Sequence, residues 1–329
     1  MTSTYPSQTF FLYLNIDVFP AAWAAYRGML ITPANYGTQS FRPISYWPYN
    51  LLRTKRTLRF QKEIELEQIR RKFYSDHVSR LHGIYLWGDE PSAKRGERWR
   101  GTEGNHFHAD YLVEVGFTYS GLTKADTNWI DAYLLPDNVP LDRNCLDWMH
   151  SYWRGEAYPQ AEPLWEYVAQ GRGVVYGTTL RMQAYQKVKA LAPESLGQLE
   201  LGRVAVEMGS DLYHLAPFIR QFSPTSFTVD FALDARDQND QFMEKAGHQI
   251  KQIMEKDRTH INLEALDLLR GDTKRPDLRG MGVVFDCSEF SVDAGTLIES
   301  MVSTHDGSTC SGLTEASGDK LGPKHPDAP

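Results

Sequence analysis

The sequence predicts a mixed α+β protein of about two domains. A first observation is a period of two in residues 227–233, where apolar side chains alternate with polar or small ones as on a half-buried strand. A second is a helical period between Thr57 and Phe73, with apolar residues on one side and charged residues on the other. The third is the length of 329 residues, because one domain takes roughly 100 to 200 residues.

The composition is that of a folded globular protein. Hydrophobic residues make up 41% of the chain and charged residues 23%, which excludes a disordered or fibrous chain. Cys145, Cys287 and Cys310 are odd in number and widely spaced, so neither a disulfide framework nor a zinc site is indicated. No apolar run reaches the roughly 18 to 20 residues that span a bilayer, and the first residues lack the basic start of a secretory signal. We expect a soluble, cytoplasmic protein.

Charge is distributed unevenly along the chain. The formal net charge is −7, yet residues 53–100 hold thirteen Lys or Arg against seven Asp or Glu. We define the basic segment as Lys94, Arg95, Arg98, Trp99 and Arg100; four more basic residues precede it, Arg53, Lys55, Arg56 and Arg59. Positive charge beside an indole ring favours contact with a nucleic acid, through phosphates and base stacking. A solvated charged face is the alternative.

The first fifty residues predict a strand, a helix and a loop. Residues 10–15 form an apolar run typical of a strand. A helix is expected from Pro20 to Gly28, because proline favours the first turn and glycine the end. Residues 33–50 are rich in Pro, Asn, Gly, Ser and aromatic residues and show neither period, so we predict a long loop.

An amphipathic helix at residues 57–73 is expected to follow. The apolar runs at 83–87 and 109–117 then predict strands. Between these strands, residues 92–100 are basic and have no apolar period, which predicts a loop.

The stretch up to residue 192 predicts mainly helices. One is expected at 124–135, where Thr123 and Asp126 resemble a capping pair, and another at 141–153. Residues 162–176 predict a turn into a strand, and a further helix is expected at 180–191.

A domain boundary is predicted near residue 192. Residues 194–202 have the Gly, Ser and Glu content of a linker. Beyond them we predict a smaller α+β unit at 193–302, made of the strand at 227–233, a helix at 240–256 and a strand at 281–285. Residues 303–329 contain almost no apolar residue, which predicts a disordered tail.

Four short motifs follow one another in the first unit, residues 1–192. They are Tyr13-Leu14-Asn15-Ile16-Asp17, Val78-Ser79-Arg80-Leu81, Tyr152-Trp153-Arg154-Gly155, and Glu166 shortly before a last strand. In this order and spacing, residues 10–180 resemble the ADP-ribosyltransferases, specifically an uncharacterised bacterial branch of that family. The resemblance implies a split, mostly antiparallel sheet that binds NAD, the family's substrate, in a cleft.

The resemblance also implies roles for individual residues. Glu166 would be the catalytic carboxylate, Ser79 would contact the nicotinamide ribose, and Arg80 or Arg27 would contact the diphosphate. Asn15 stands where the family usually carries His or Arg, and an amide can bond a ribose hydroxyl but gives no charge to a phosphate. Further contacts to NAD are expected from aromatic side chains: Tyr85, Trp153 or Tyr176 could flank the nicotinamide ring. Tyr13, of the first-strand motif, is also expected to contact NAD.

A glutamate suits this chemistry because cleavage of the bond between ribose and nicotinamide develops positive charge on the ribose. A fixed carboxylate stabilises that charge and orients the incoming nucleophile.

Each assignment has a structural alternative. Ser79 and Arg80 could end a helix and bond its last carbonyls. Glu166 could be a solvated residue of a helix, with Glu162 as the catalytic carboxylate instead, and Asn15 could satisfy a turn.

A separate motif contains His106 and His108, followed by Asp110 and Glu114. On a strand, the period of two would put these four side chains on one face, where they could hold a transition metal. Paired surface histidines are the alternative.

The function that the sequence favours is mono-ADP-ribosyl transfer from NAD to a macromolecular acceptor, a protein or a nucleic acid. The resemblance implies a toxin, effector or phage-conflict protein, which could be delivered into a target cell without a classical signal peptide. The C-terminal unit would bind an inhibitor, a target or a subunit. Two rivals stay open, namely a metal-dependent hydrolase using His106 and His108, and a binding module that keeps the fold without turnover.

Overall fold

Two antiparallel sheets with helices packed around them form the framework of the protein, which confirms the mixed α+β class. The computed structural model describes residues 5–33, 42–99, 104–138, 146–256 and 275–301. The strands are β1 (Ser7–Tyr13), β2 (Met29–Ile31), β3 (Arg42–Pro43), β4 (Ile84–Trp87), β5 (Leu112–Asp126), β6 (Trp165–Val175), β7 (Leu215–Gln221), β8 (Ser226–Leu233) and β9 (Val283–Asp286). The helices are α1 (Phe19–Arg27), α2 (Tyr46–Arg53), α3 (Thr57–Phe73), α4 (Glu90–Arg95), α5 (Asp147–Trp153), α6 (Thr178–Leu191), α7 (Leu196–Glu207), α8 (Asp240–Lys256) and α9 (Ala294–Ser300).

The first sheet has the order β2-β6-β4-β1-β5, and β5 also pairs with β6. Strands β1, β5, β6 and β4 therefore close into a ring in which each strand is antiparallel to its neighbours. One edge of β6 follows β5 along its whole length, while the other edge pairs first with β4 and then with β2. In this register Glu166 lies opposite Trp87 of β4 and Ala125 of β5.

The second sheet has the order β3-β7-β8-β9 and combines strands from distant parts of the chain. Strand β3, from the first fifty residues, pairs with β7 at Arg42↔Ile219 and Pro43↔Phe218. Apolar residues from Phe10 to Met301 form one hydrophobic cluster between the sheets and helices.

Helix α1 carries much of the packing across residue 192. Trp23 donates its indole N–H to the carbonyl of Tyr213 over 2.8 Å, and the Tyr26 hydroxyl donates to Glu200 over 2.6 Å. The helix ends, as its sequence predicts, at Gly28, whose φ of 87° is left-handed and favours glycine. The boundary near 192 stays a prediction, and it falls where side chains from both sides interlock.

The first part of the helix predicted at 124–135, with its capping pair, is wrong because β5 extends to Asp126. Thr123 and Asp126 do not cap a helix: Thr123 accepts the backbone N–H of Val78, and Asp126 accepts those of Asn128 and Leu164. Both residues lie in the last part of β5, because strand pairing with β6 is stronger here than the local tendency to cap a helix. A short π-helical turn follows at Ile130–Leu134 in place of the helix at 124–135.

Three predicted loops contain helices. Residues 46–50 belong to α2, and residues 92–95 to α4, whose first turn is capped by the Asp89 side chain accepting from the N–H of Ser92. The predicted linker at 194–202 contains the first two turns of α7, which are buried against neighbouring elements. Tertiary burial here outweighs the weak helix propensity of Gly197 and Gly202.

Some expectations fall outside the described residues. These are the tail at 303–329, Cys145, Cys310, Arg100, and the beginning of the helix predicted at 141–153, which is described from Asp147 onward. Cys287 is buried and free. Across the described ranges, no helix combines the length and the apolar character needed to cross a membrane.

We expect residues 1–192 not to fold as an isolated unit. Truncation would expose Trp23 and Tyr26 of α1 and would leave Arg27, which donates to the carbonyls of Leu212 and Ser210, without these partners. Circular dichroism and chemical denaturation of the fragment should show no cooperative transition, whereas the full chain should unfold in one. A fragment with a cooperative transition near full-chain stability would contradict this expectation and support the boundary.

Candidate functional site

A cavity of about 570 Å³ opens between the first sheet, helix α2 and the chain before β7. This volume is within the roughly 300 to 1,000 Å³ of small-molecule sites. Aromatic side chains form much of its wall, and the polar groups are few. Among the residues predicted to contact NAD or to act as the catalytic carboxylate, those that line it are Tyr13, Asn15, Tyr85, Arg80 and Glu166.

Three further residues predicted to contact NAD lie elsewhere. Arg27 donates to the backbone carbonyls of Leu212 and Ser210, which ties α1 to the start of the second sheet. Trp153 is buried and donates its indole N–H to the carbonyl of Leu66. Ser79 lies behind Arg80, where its hydroxyl donates to Glu67 over 2.8 Å. None of the three lines the cavity within the part of the chain that the structure describes.

Arg80 is the centre of a buried polar network. Its Nε and Nη2 atoms donate to the Glu63 carboxylate at 3.0 to 3.2 Å. Its Nη1 atom donates to the hydroxyl of Tyr152 and to Oε1 of Glu166, each over 2.7 Å. Three of the four polar side chains are almost fully enclosed, and Glu166 is 6% exposed. The structure thus rules out a role of Arg80 as a helix-ending residue.

The rings of Tyr85 and Tyr152 enclose the guanidinium of Arg80. The Arg80 Cζ atom lies 4.9 Å from the centre of the Tyr85 ring and 5.3 Å from that of Tyr152. The Tyr85 hydroxyl donates to the backbone carbonyl of Arg80 over 2.6 Å, which fixes the turn before β4. Burial raises the pKa of both phenols well above the usual value, so they remain protonated donors.

Glu166 lines the cavity, and its two carboxylate oxygens differ in their partners. Oε1 accepts from Arg80 and from the Tyr152 hydroxyl, the latter over 2.9 Å. Among the described residues, Oε2 has no hydrogen-bond partner, and the residue lines the cavity. Burial raises the pKa of Glu166 even though Arg80 beside it acts in the opposite direction. Glu166 lies on β6 rather than on a helix, whereas Glu162 is exposed and faces Arg95.

A second layer behind Arg80 is formed by the next turn of α3. Glu67 lies one turn after Glu63 and receives two N–H groups of Arg70, at 2.8 and 2.9 Å, and the hydroxyl of Ser79. His82 approaches the Ser79 hydroxyl at 3.1 Å and the carbonyl of Met301 at 3.2 Å. Two successive turns of one helix therefore hold the segment from Ser79 to His82 in place.

Asn15 and Tyr13 line the cavity but are also part of local structure. The Asn15 side chain accepts the N–H of Asp17 over 3.0 Å, as in an Asx turn. The Tyr13 hydroxyl donates to the carbonyl of Ala93 over 3.0 Å, and burial raises its pKa to about 12. The turn that we named as an alternative for Asn15 is thus present, and the residue still borders the cavity.

The predicted strand face of histidines is wrong. His106 and His108 lie on or beside two short 3-10 turns, Gly104–Phe107 and Ala109–Tyr111, so a period of two does not align them. His108 accepts the N–H of Asp110 and caps the second turn. Over the described ranges, no group of three or more His, Cys, Asp or Glu side chains is arranged to hold a metal ion.

The basic segment lies beside the cavity, and its described cations, Lys94, Arg95 and Arg98, each pair with a carboxylate. Trp99 lines the cavity and stacks on Trp87 with ring centres 5.9 Å apart. Arg98 covers the Trp99 ring at 4.8 Å and pairs with Asp131, while Lys94 pairs with Glu90.

Sequence reasoning gave no role to Glu63, Glu67 or Tyr152, although Tyr152 belongs to one of the four motifs. Glu63 and Glu67 are among the charged residues on the side of α3 opposite its apolar positions, and Glu63, Glu67 and Arg70 recur at helical spacing on one face. That spacing indicates that the three side chains can interact with one another. It does not show that their face is buried, which depends on partners from other elements such as Arg80 and Ser79.

In the motif that contains Tyr152, Trp153 is the residue that was expected to contact NAD. In the structure, the neighbouring Tyr152 bonds Arg80 and Glu166, while Trp153 bonds the carbonyl of Leu66.

The arrangement can bind and polarise a small polar ligand. A carboxylate with one unbonded oxygen can accept a hydrogen bond from a hydroxyl, and it can stabilise developing positive charge where water is largely excluded. Arg80 and Tyr152 restrict the carboxylate to one orientation, which is the preorganisation that such stabilisation requires.

Replacement of Arg80 by Met should lower the free energy of unfolding by about 3 to 5 kcal/mol at pH 7, because two buried carboxylates lose their shared partner. The exposed pair of Arg154 with Glu156 supplies the control, Arg154→Met, with an expected loss below about 1 kcal/mol. Urea denaturation measures both. The double variant Glu63→Gln/Arg80→Met should recover part of the loss, and a cost for Arg80→Met equal to that of the control would contradict the network.

His82 should make stability depend on acid pH. Burial lowers its pKa from 6.5 to about 4, so between these values the unfolded chain binds a proton that the folded chain excludes. Stability from this group is complete above pH 6.5 and is lost as the pH falls toward 4, with a slope of about 1.4 kcal/mol per pH unit. His82→Gln should show a shallower slope in urea denaturation across this window, and an unchanged slope would refute the assignment.

Comparison with known proteins does not assign the chain to a family. Neither a scan against protein-family models nor a search of curated proteins found a match. The candidate site is therefore described by its own residues.

Proposed function

We propose that the protein is a NAD-dependent mono-ADP-ribosyltransferase that modifies a macromolecular acceptor. The observation that carries the proposal is Glu166, a buried carboxylate that lines an aromatic cavity, that Arg80 and Tyr152 orient through Oε1, and whose Oε2 has no hydrogen-bond partner among the described residues. The motif order supports it as well, because the first strand, the Ser-Arg turn and the glutamate all contribute a residue to this cavity. The finer arrangement of an ADP-ribosyltransferase domain is part of the proposal.

In the proposed reaction, the bond between ribose C1′ and the nicotinamide nitrogen breaks, and its electron pair leaves with nicotinamide. The acceptor nucleophile forms the new bond to C1′ and gives up its proton. Glu166 would hold a ribose hydroxyl through Oε2 and stabilise the positive charge on the ribose. Because burial raises its pKa, the same carboxylate is suited to accept the proton of the nucleophile.

The geometry changes the roles proposed for the other residues. Each nitrogen of the Arg80 guanidinium already donates to Glu63, Tyr152 or Glu166, so Arg80 is proposed to position Glu166 rather than to bind phosphate. Ser79 is proposed to hold the segment that carries Arg80 in place through its hydrogen bond to Glu67, rather than to contact the ribose. Tyr85 and Trp87 are the aromatic side chains near Glu166 that are proposed to flank the nicotinamide.

The acceptor is proposed to approach past the basic segment, because Trp99 of that segment borders the cavity. Since Arg98 and Lys94 already pair with carboxylates, a protein acceptor fits this surface better than a polyanion does. An effector or toxin role, in the cytoplasm or inside a target cell, is proposed on the resemblance alone.

Glu166→Gln should lower nicotinamide release from NAD by about 100-fold or more, because an oriented carboxylate is lost while the size of the side chain is kept. The assay incubates the folded protein and labelled NAD with cell lysate, and follows nicotinamide and label on macromolecules. Glu162→Gln, at the exposed glutamate nearby, is the matched control and should remain active.

Two outcomes would sink the proposal. One is a wild-type protein that releases no nicotinamide and transfers no label. The other is equal activity of Glu166→Gln and Glu162→Gln. A wild type that binds NAD without turnover would instead support the non-catalytic binding module.

A further inference from the structure

We propose that Arg53, at the end of helix α2, forms an anion subsite of the cavity and binds the diphosphate of the nucleotide. This inference rests on the proposed function for the identity of the ligand. It replaces Arg80 and Arg27, whose guanidinium groups are engaged inside the protein.

The arginines that line the cavity differ in whether a carboxylate neutralises their charge. Its charged lining residues are Arg53, Arg56, Arg80 and Glu166. Arg80 is paired with two carboxylates, and Arg56 is paired with Asp137. Arg53 has no carboxylate partner among the described residues, and its Nη2 atom donates only to the amide oxygen of Asn50, over 3.1 Å. Within the described part of the chain, the cavity therefore presents one guanidinium without a carboxylate partner, that of Arg53.

Helix geometry directs this guanidinium toward the cavity. Tyr46, Asn50 and Arg53 recur at positions i, i+4 and i+7 of α2, and all three line the cavity. The Asn50 amide holds one end of the Arg53 fork, while its remaining N–H groups have no partner in the described residues. A guanidinium held in this way can bind two phosphate oxygens at once.

The rest of the cavity matches a nucleotide around such a contact. The same wall carries the aromatic side chains of Tyr46 and Trp47, and Glu166 borders the cavity from β6. A nucleotide needs these three environments, namely a flat apolar wall for the base, a cation for the phosphates and a polar group for the ribose. A cavity of about 570 Å³ has room for a ligand of this kind.

The test compares binding of phosphorylated and unphosphorylated probes by calorimetry. ADP-ribose and ADP carry the diphosphate, and adenosine and nicotinamide do not. Arg53→Ala should weaken ADP-ribose and ADP binding about 10- to 100-fold, which is the range for a lost charge-assisted hydrogen bond, and leave adenosine within about twofold. Lys55→Ala is the matched control. Lys55 lies two residues after Arg53 and carries the same charge, but its side chain does not line the cavity.

The outcomes separate this subsite from the proposed reaction. Equal ADP affinity in Arg53→Ala and Lys55→Ala, or an equal loss of adenosine affinity, would overturn the subsite. If NAD is cleaved and its KM is unchanged in Arg53→Ala, the reaction stands and the subsite fails. If ADP-ribose binds in an Arg53-dependent way but NAD is not cleaved, the subsite stands and the reaction fails. A wild type that binds neither ADP-ribose nor ADP overturns the subsite.

Discussion

The shared ion pair of Arg80 with Glu63 and Glu166 is the interaction on which the site depends. Two carboxylates and one guanidinium are removed from water at the place where α3, the turn before β4 and strand β6 meet. Removing charges from water is costly, and it is compensated only when every donor finds an acceptor in good geometry. Here the Arg80 nitrogens meet that condition through carboxylate oxygens and the Tyr152 hydroxyl.

This constraint joins elements that hydrophobic packing alone would leave free to slide. Apolar contacts are not directional, whereas the bonds of the Glu63 carboxylate to Nε and Nη2 of Arg80 require one position of α3 along the sheet. One turn later on α3, Glu67 accepts from Arg70 and from the Ser79 hydroxyl, which fixes the same position of the helix. This buried ion pair stabilises the fold less than an apolar core would, but it holds Glu166 in a single orientation.

The parts of the fold that the sequence predicted are those where one local signal dominates. Helix α3 occupies the predicted residues, and α1 begins at proline and ends at glycine as expected. The failures are places where distant pairing decides. Asp126 matches a capping pair locally, but β6 draws it into a strand, and the glycines of α7 match a linker until burial against other helices is considered.

The candidate site shows the same division. Glu166 and Arg80 were predicted because they belong to motifs in the chain, and they meet at the cavity. Glu63 lies seventeen residues before Arg80, and no motif joins them. Arg53 was visible only as one basic residue among several. Its distinction is the lack of a carboxylate partner among the described residues, and contacts in three dimensions are needed to recognise that.

The orientation of Glu166 toward a ribose is the central claim, and a crystal structure with a non-hydrolysable NAD analogue tests it most directly. We predict the analogue inside the cavity, with a hydroxyl of the nicotinamide ribose about 2.5 to 3.0 Å from Oε2 of Glu166 while Oε1 keeps its bonds to Arg80 and Tyr152. An analogue bound outside the cavity, or one whose ribose lies beyond hydrogen-bond distance of Glu166, would contradict the account.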